Sequence, residues 1–334
     1  MTRKLASVQR LVKIKPIKDA DSIDVADVLG WHVVVKKGEF QVGDLCIYCE
    51  IDSLMPATDQ FAFLEKYNYR IKTQKLRGVI SQGLCLPMNL LPPKDTPYEE
   101  GEDVTELLGI IKFEPVVPTH LSGLVKGSFP PFIPKTDEDR IQIRQDILDE
   151  YAEETCVIHE KLDGTSLTAF LELGAIQVCS RNLWLSETAG NTYWRAIREN
   201  KIEEKLKHAE TIMPGLVFQG ELIGPGINKN YYNALTLQWR IFYVYSLDQH
   251  KYLDTNLATH ICKEVGLELV PFIKQILALS TVDRWVTESY GKSLLNPERN
   301  REGIVVRIKT ETDRNQNKIS FKVINPDFLL KQKD

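Results

Sequence analysis

Lys161-Leu162-Asp163-Gly164, continued by Thr165 and Ser166, is the stretch of this 334-residue chain richest in chemical potential. It follows CVIHE, a run of strand composition, so the lysine stands at a strand end beside a glycine turn. An amine held there at the mouth of a cleft becomes a nucleophile when burial or neighbouring positive charge lowers its pKa. Asp163 is placed to orient that amine or to help hold a metal. Gly164 lets a phosphate or nucleotide approach the backbone closely. Alone the tetrapeptide carries little weight: K-x-D-G occurs by chance on the order of once in fifteen chains of this size, and a surface turn is the plain alternative.

Other segments able to do chemistry follow in order. Ser180-Arg181-Asn182 comes after a strand-like run. Glu221 lies inside LVFQGELIGPG, and Phe242-Tyr243-Val244-Tyr245 forms an aromatic strand. Glu302-Gly303-Ile304-Val305-Val306-Arg307 opens another strand, and Lys322 sits in ISFKVIN. Each has an ordinary reading, since acids on strands usually face solvent, Arg181 suits a surface, and His159 suits a core or edge position. Strand alternation puts Tyr243 and Tyr245 on one face and Phe242 and Val244 on the other.

The elements that must position these residues fall into three regions. Residues 1–108 hold short β-type runs separated by turn signals (LASVQRLVKI, DVADVLG, WHVVVKK, DLCIYCEI, GLCLPM), the pattern of a small β-barrel. Residues 109–144 are proline-rich and without period, which predicts extended chain rather than a regular element. This connector is too apolar for a flexible linker, so it is expected to pack and to line a site. Residues 145–334 alternate strand-like runs with helical patterns, including one helix over NTYWRAIRENKIEEKLKHAE, and read as an α+β domain.

A net charge of −4 excludes a globally basic nucleic-acid binder and requires any phosphate partner to meet a local patch. Six cysteines are too sparse for a disulfide scaffold. Cys46 and Cys49 read as buried strand cysteines, because residues three apart on a strand point to opposite faces. No apolar stretch approaches the length of a membrane span, and the N-terminus lacks the apolar core of a signal peptide. A soluble, intracellular protein without a membrane partner is expected.

The ordered series resembles the covalent nucleotidyltransferase superfamily of polynucleotide ligases and mRNA capping enzymes: the lysine motif, an acid on a middle strand, an aromatic strand, an E-G-I-V strand and a terminal lysine strand. The resemblance implies that Lys161 attacks the α-phosphorus of a nucleotide and that Glu160 lies near the adenine, close to Gly164. It implies that Asp163, Glu221 and Glu302 hold a divalent metal, Mg or Mn, partly through its waters, with Glu221 also near the ribose. Arg181 would contact the ribose or an incoming 5′-phosphate with Asn182 nearby, and Lys322 would neutralise the α-phosphate. Family alignment points to Tyr245 as the adenine-stacking aromatic, although Tyr245-Ser246 stands where phenylalanine and aspartate are usual. The second terminal lysine of such ligases is replaced by Ile324, leaving Arg307 or Lys309 to supply that charge.

The small barrel at the N-terminal end is similar to the arrangement of RNA ligases typified by the Deinococcus and Naegleria enzymes, with an OB domain before the nucleotidyltransferase domain. FIPKTDEDRIQ and GELIGPGINKNYY also resemble that branch. It implies an ATP-dependent monomer that seals 3′-OH/5′-phosphate nicks in an RNA-containing duplex. Arg70, Lys72, Lys75 and Arg77, beside Tyr67 and Tyr69, form the candidate nucleic-acid cluster, with Lys13, Lys15 and Lys18 a second. Lys135 and Arg140 are connector residues able to reach the site. A nick-sensing protein that kept the fold but lost turnover and a GTP-using guanylyltransferase are the competing readings.

Overall fold

The computed structural model describes residues 4–113, 125–152, 154–308 and 319–331; residues 114–124 of the connector and Lys309 lie outside them. The chain divides into two compact units, Met1–Val116 with Leu329–Asp334, and Val117–Phe328.

The first unit is built on a five-stranded antiparallel sheet in the order Trp31–Lys36, Ile23–Val28, Ala6–Pro16, Leu45–Cys49, Leu84–Leu86. The alternation of Trp31, Val33 and Val35 with His32, Val34 and Lys36 sends the first three into the core, as a half-buried strand requires. The first strand in that order turns back on the segment that leads into the last. Val34 N–H donates to Ser81 Oγ at 3.0 Å, and Gln82 N–H donates to the His32 carbonyl at 2.8 Å, so the sheet is nearly closed into a barrel. Cys46 and Cys49 are fully buried in the strand Leu45–Cys49. Ile111–Lys112 pairs with Ser53–Leu54 and so extends the first unit past residue 108.

The second unit holds two sheets. The larger runs Val125–Ser128, Leu183–Leu185, Ala175–Cys179, Thr165–Glu172, Leu216–Ile223, Gln238–Ser246, Lys251–Tyr252, with Glu268–Leu269 beside Gln238–Ser246. The smaller runs Phe272–Leu277, Thr155–Lys161, Gly303–Ile308, Ser320–Ile324. Helices Thr192–Glu199, Ile202–Ile212 and Thr255–Glu264 cover one face of the larger sheet, burying Trp194, Leu206 and Ile261 against Leu167, Phe218 and Ile241. On the smaller sheet Cys156, Ile158, Ile304, Val306, Phe321 and Val323 face Trp285 and Ile147. Both sheets therefore have a largely apolar outer face and an inner face free to carry polar residues.

Three sequence expectations are corrected. The single helix over 191–210 is two helices, because Lys201 takes a left-handed conformation (φ 51°) between them. The connector is not wholly irregular: Val125–Ser128 finds the open edge of the larger sheet and pairs with Leu183–Leu185. Phe242 does not share a face with Val244. Between Gln219 and Gly220 the register slips, so Gln219 opposes Tyr243 while Gly220 opposes Ile241, and Phe242 is the extra residue of a β-bulge. Val244 stays on the helix side, but Phe242 turns inward against Leu162, Ile223 and Tyr232, as a bulge re-aims side chains. Among the described residues, no helix is long and apolar enough to cross a membrane.

Candidate active site

The inner face of the smaller sheet sets the order of groups. Pairing aligns Lys161 with Gly303 and Ile324, then His159 with Val305 and Lys322, then Val157 with Arg307 and Ser320. Lys161 and Lys322 thus share a face, two residues apart along the strands, a step of about 7 Å. Glu160 turns to the opposite face, where it is 2% exposed; its Oε2 accepts from Leu294 N–H at 2.7 Å, while Oε1 is buried without a hydrogen-bond partner. Gly303 is required by packing, since a Cβ there would collide with the Val323 carbonyl.

Around Lys161 the charges are unbalanced. Its Nζ lies 2.7 Å from Glu302 Oε1, and the field of Glu221 and Asp163 also reaches it. Burial pulls the Lys161 amine down, but the three carboxylates outweigh it and the net direction is up. The amine is therefore held charged, opposite to the activation anticipated from burial alone. The acids record the same crowding. Burial first, then Glu302 and Asp163, push Glu221 up to about 8 against the pull of Lys161. Burial and Glu302 push Asp163 up to about 6.

Asp163 is held from two sides. Its N–H donates to Tyr232 Oη at 2.6 Å, and Asn228 Nδ2 donates to its Oδ1 at 2.8 Å and to the Gly164 carbonyl at 2.9 Å. Asn228, Lys229 and Asn230 all have positive φ, a strained run of the kind that persists where surrounding structure over-determines it. Gly164 lets the lysine turn lie against the acid strand: a Cβ there would meet the Leu222 carbonyl, and Glu221 Cγ at 2.8 Å.

Among the described residues, no three acidic, histidine or cysteine side chains converge closely enough to ligate one metal ion directly. The set nevertheless fits a divalent cation held partly through water, because one amine cannot neutralise three carboxylates and Glu302 Oε2 is buried without a partner.

The cationic end is organised by the connector. Lys322 N–H donates to the Asp139 carbonyl at 2.8 Å, and Arg140, 8% exposed, bridges Lys322 in parallel. Arg307 stacks over the Tyr243 ring at 4.3 Å from its centroid. Arg181 is half exposed and paired with Asp137 at 2.7 Å, and Asn182 Oδ1 accepts from Lys135 at 3.1 Å. Arg140 is a buried cation whose backbone bridges to Lys322, while Ile324 brings no charge. Burial drives the His159 imidazole down to about 3, helped by Arg307, so it is neutral.

Tyr245 is packed among Ile133, Phe170, Cys179 and Val217 with its ring edge-on to Tyr252. Phe242 instead lies beside Leu162, next to the nucleophile. Sequence reasoning passed over it; Gly220 in the middle of a strand was the local signal of a bulge.

In the first unit the basic cluster divides. Arg70 donates to Asp52 at 2.9 Å and stacks on Phe113 at 3.9 Å, which commits it to the fold. Lys75 and Arg77 are exposed on the hairpin formed by Gln74–Leu76 and Val79–Ser81, and Lys72 is half-buried.

An OB-fold domain model matches residues 5–88, and an RNA ligase model matches residues 154–324. No curated protein matches the chain, but solved structures do. Naegleria gruberi RNA ligase with PPi is 36% identical over 100% of both chains, with a TM-score of 0.89. A lysine-to-alanine variant of that ligase with ATP and Mn is 35% identical over 98% of this chain and 99% of its own, again at 0.89. A glutamate-to-alanine variant with AMP and Mn is 35% identical over 99% of both chains, also at 0.89. With an RNA ligase model spanning just over half of its length and structural relatives matching it end to end, the chain belongs to the RNA ligase family.

Proposed function

We propose that the chain is an ATP-dependent RNA ligase that seals 3′-OH/5′-phosphate nicks through a lysyl-AMP intermediate on Lys161. The observation that carries this reading is the Lys161 amine, 2.7 Å from Glu302 and surrounded by carboxylates, on the same sheet face as Lys322. Support comes from relatives crystallised with ATP, AMP and Mn.

Lys161 waits as an ammonium paired to Glu302. A Mg or Mn ion held by Asp163, Glu221 and Glu302 would supply positive charge to those carboxylates and to the α-phosphate. Once Glu302 is drawn off and the ammonium has given a proton to solvent water, Nζ attacks the α-phosphorus. The N–P bond forms as the α–β anhydride bond breaks, and pyrophosphate leaves. Lys322 and Arg140 face the charge that builds on the phosphate oxygens, the electrostatic task that dominates phosphoryl transfer. AMP then passes to a 5′-phosphate, contacted by Arg181, giving a 5′–5′ anhydride. A 3′-OH displaces AMP from that phosphorus and closes the nick.

Phe242 replaces Tyr245 as the proposed adenine platform, because the bulge brings Phe242 beside Leu162 whereas Tyr245 is consumed by core packing. Glu160 Oε1 provides an acceptor for the 6-amino group of adenine, which guanine lacks. Lys75 and Arg77 contribute phosphate contacts on the RNA-containing duplex.

The test is incubation with α-labelled ATP or GTP and a divalent metal, followed by denaturing electrophoresis beside Lys161→Ala. Label that comes from ATP only, survives denaturation and is absent from the variant is the expected result. Label from GTP would place the chain with the capping enzymes. A folded protein that takes no label from either nucleotide would overturn the reading in favour of nick binding without turnover. Nicked duplexes with RNA or DNA 3′-OH strands then define the substrate.

A further inference from the structure

The segment Pro134–Arg140 touches the acid strand, the turn of Arg181 and Asn182, the aromatic strand and the terminal lysine strand. The Pro134 carbonyl accepts from Gln219 on the acid strand at 2.9 Å. Lys135 and Asp137 hold Asn182 and Arg181. Glu138 takes two hydrogen bonds from opposite sheets: Tyr243 Oη donates to Oε1 at 2.5 Å, and Ser320 Oγ donates to Oε2 at 2.6 Å. The next two residues dock on the terminal lysine strand, through the Asp139 carbonyl on Lys322 N–H and the Arg140–Lys322 bridge.

Glu138 therefore clasps both sheets, two residues before Arg140, whose backbone bridges to that of Lys322. Tyr243 is itself fixed, with Arg307 over its ring at 4.3 Å and Tyr252 at 5.1 Å between centroids. A carboxylate accepting two short hydroxyl bonds from rigid neighbours has little freedom, and it passes that rigidity to the backbone on either side.

We propose that Glu138 is a positioning residue of the adenylylation reaction: by clasping Tyr243 and Ser320 it sets Arg140 against Lys322 at the reacting phosphate. The proposal rests on the ligase reading above, but its failure can be told apart from failure of that reading. It predicts a loss in the chemical step more than in nucleotide binding, because misplaced cations lose stabilisation that is made fully only in the transition state.

The experiment is single-turnover formation of labelled lysyl-AMP across a range of ATP concentrations, with thermal melting of each variant. If the wild-type chain takes no label, the ligase reading fails, whatever Glu138 does. Given a labelling wild type, Glu138→Ala should lower the saturating rate about 10–100-fold, with the apparent ATP affinity changed less than about 3-fold. Glu138→Gln, which keeps an acceptor for Tyr243, should recover most of the rate. Tyr243→Phe keeps the ring under Arg307 but removes the hydroxyl that meets Glu138 and, at 3.3 Å, Ser320 Oγ, and should cost a few-fold.

The deciding readout is coupling. A residue acting through Arg140 adds little once Arg140 is gone, so the Glu138→Ala/Arg140→Ala double variant should be about as slow as Arg140→Ala. Multiplying losses, or a wild-type rate in Glu138→Ala, would overturn the proposal. Should Glu138→Ala fail to fold, wild-type rates in both Glu138→Gln and Tyr243→Phe would overturn it, and graded losses would support it.

Discussion

The two ends of the inner face of the second unit are built from the same materials with opposite bias. At the Lys161 end one amine meets Asp163, Glu221 and Glu302, so negative charge is in excess. At the Lys322 end Lys322, Arg140, Arg307 and Arg181 meet the connector acids Asp137 and Glu138, so positive charge is in excess. Among the residues named, the charges do not cancel at either end. In the proposed reaction the acid end would take a cation and the basic end phosphates. Burial displaces Glu221 and Asp163 upward at the acidic end, whereas the basic end combines a buried Arg140 with a half-exposed Arg181. On the proposed reading, this charge separation would let a single site bind a metal–nucleotide complex in one orientation.

The largest expected effect breaks the two ends separately. Glu302→Ala removes the ion-pair partner of Lys161 and a member of the acid set, and lysyl-AMP formation should fall at least about 10³-fold. Lys322→Ala should cost about 10²–10³-fold through lost phosphate stabilisation. Quenched-flow labelling at several metal concentrations checks the comparison: raising the metal should shift the first variant's profile and leave the second's unchanged. Identical profiles would erase the distinction between the ends.

Next in size is a test of the close approach that joins the lysine turn to the acid strand. Gly164→Ala places a Cβ against the Leu222 carbonyl, with Glu221 Cγ at 2.8 Å. Overpacking against backbone costs about 1–3 kcal/mol, a fall of about 2–4 °C in Tm for each kcal/mol in a domain of this size. Activity should fall further than stability, because the strain falls on Asp163 and Glu221 together. Differential scanning fluorimetry beside the labelling assay measures both.

The acid end should also give the free protein a pH signature. Glu221 at about 8 and Asp163 at about 6 both lie above their ordinary values, so the folded chain keeps protons that the unfolded chain sheds. That contribution to stability is complete at pH below about 4 and is lost as pH rises through 6 and then 8. Glu221→Gln removes the larger share, so its Tm relative to wild type should be higher at pH about 8.5 than at pH about 5, in metal-free buffer. A difference that does not change with pH would show that the acids are not crowded.

The smallest effect contrasts the ligase unit with the barrel unit. Replacing Lys75 and Arg77 by Ala should weaken binding to an RNA-containing nicked duplex several-fold and reduce the salt slope by about 1–2. Lysyl-AMP formation should be unchanged. Arg70→Ala should instead lower Tm, since Arg70 is tied to Asp52 and Phe113. Fluorescence anisotropy across salt concentrations and thermal melting separate the two behaviours.

The sequence alone determined the order of the chemical segments, the strands that carry them, the N-terminal β-barrel and the family to which these point. Those features are local: an apolar run with period 2 and a glycine turn can be read without knowing what lies opposite. Tertiary structure decided the rest. Glu302 stands 141 positions from Lys161, and only strand pairing shows that the acid holds the amine charged. The bulge that turns Phe242 inward depends on how Gln238–Ser246 registers with Leu216–Ile223; Gly220 hinted at it without giving the side. The connector had no period to read, because its residues answer to partners on several strands rather than to one repeating face. Pairing and charge balance are properties of neighbours brought together by folding, and for this chain they determine which end of the site calls for metal and which for phosphate.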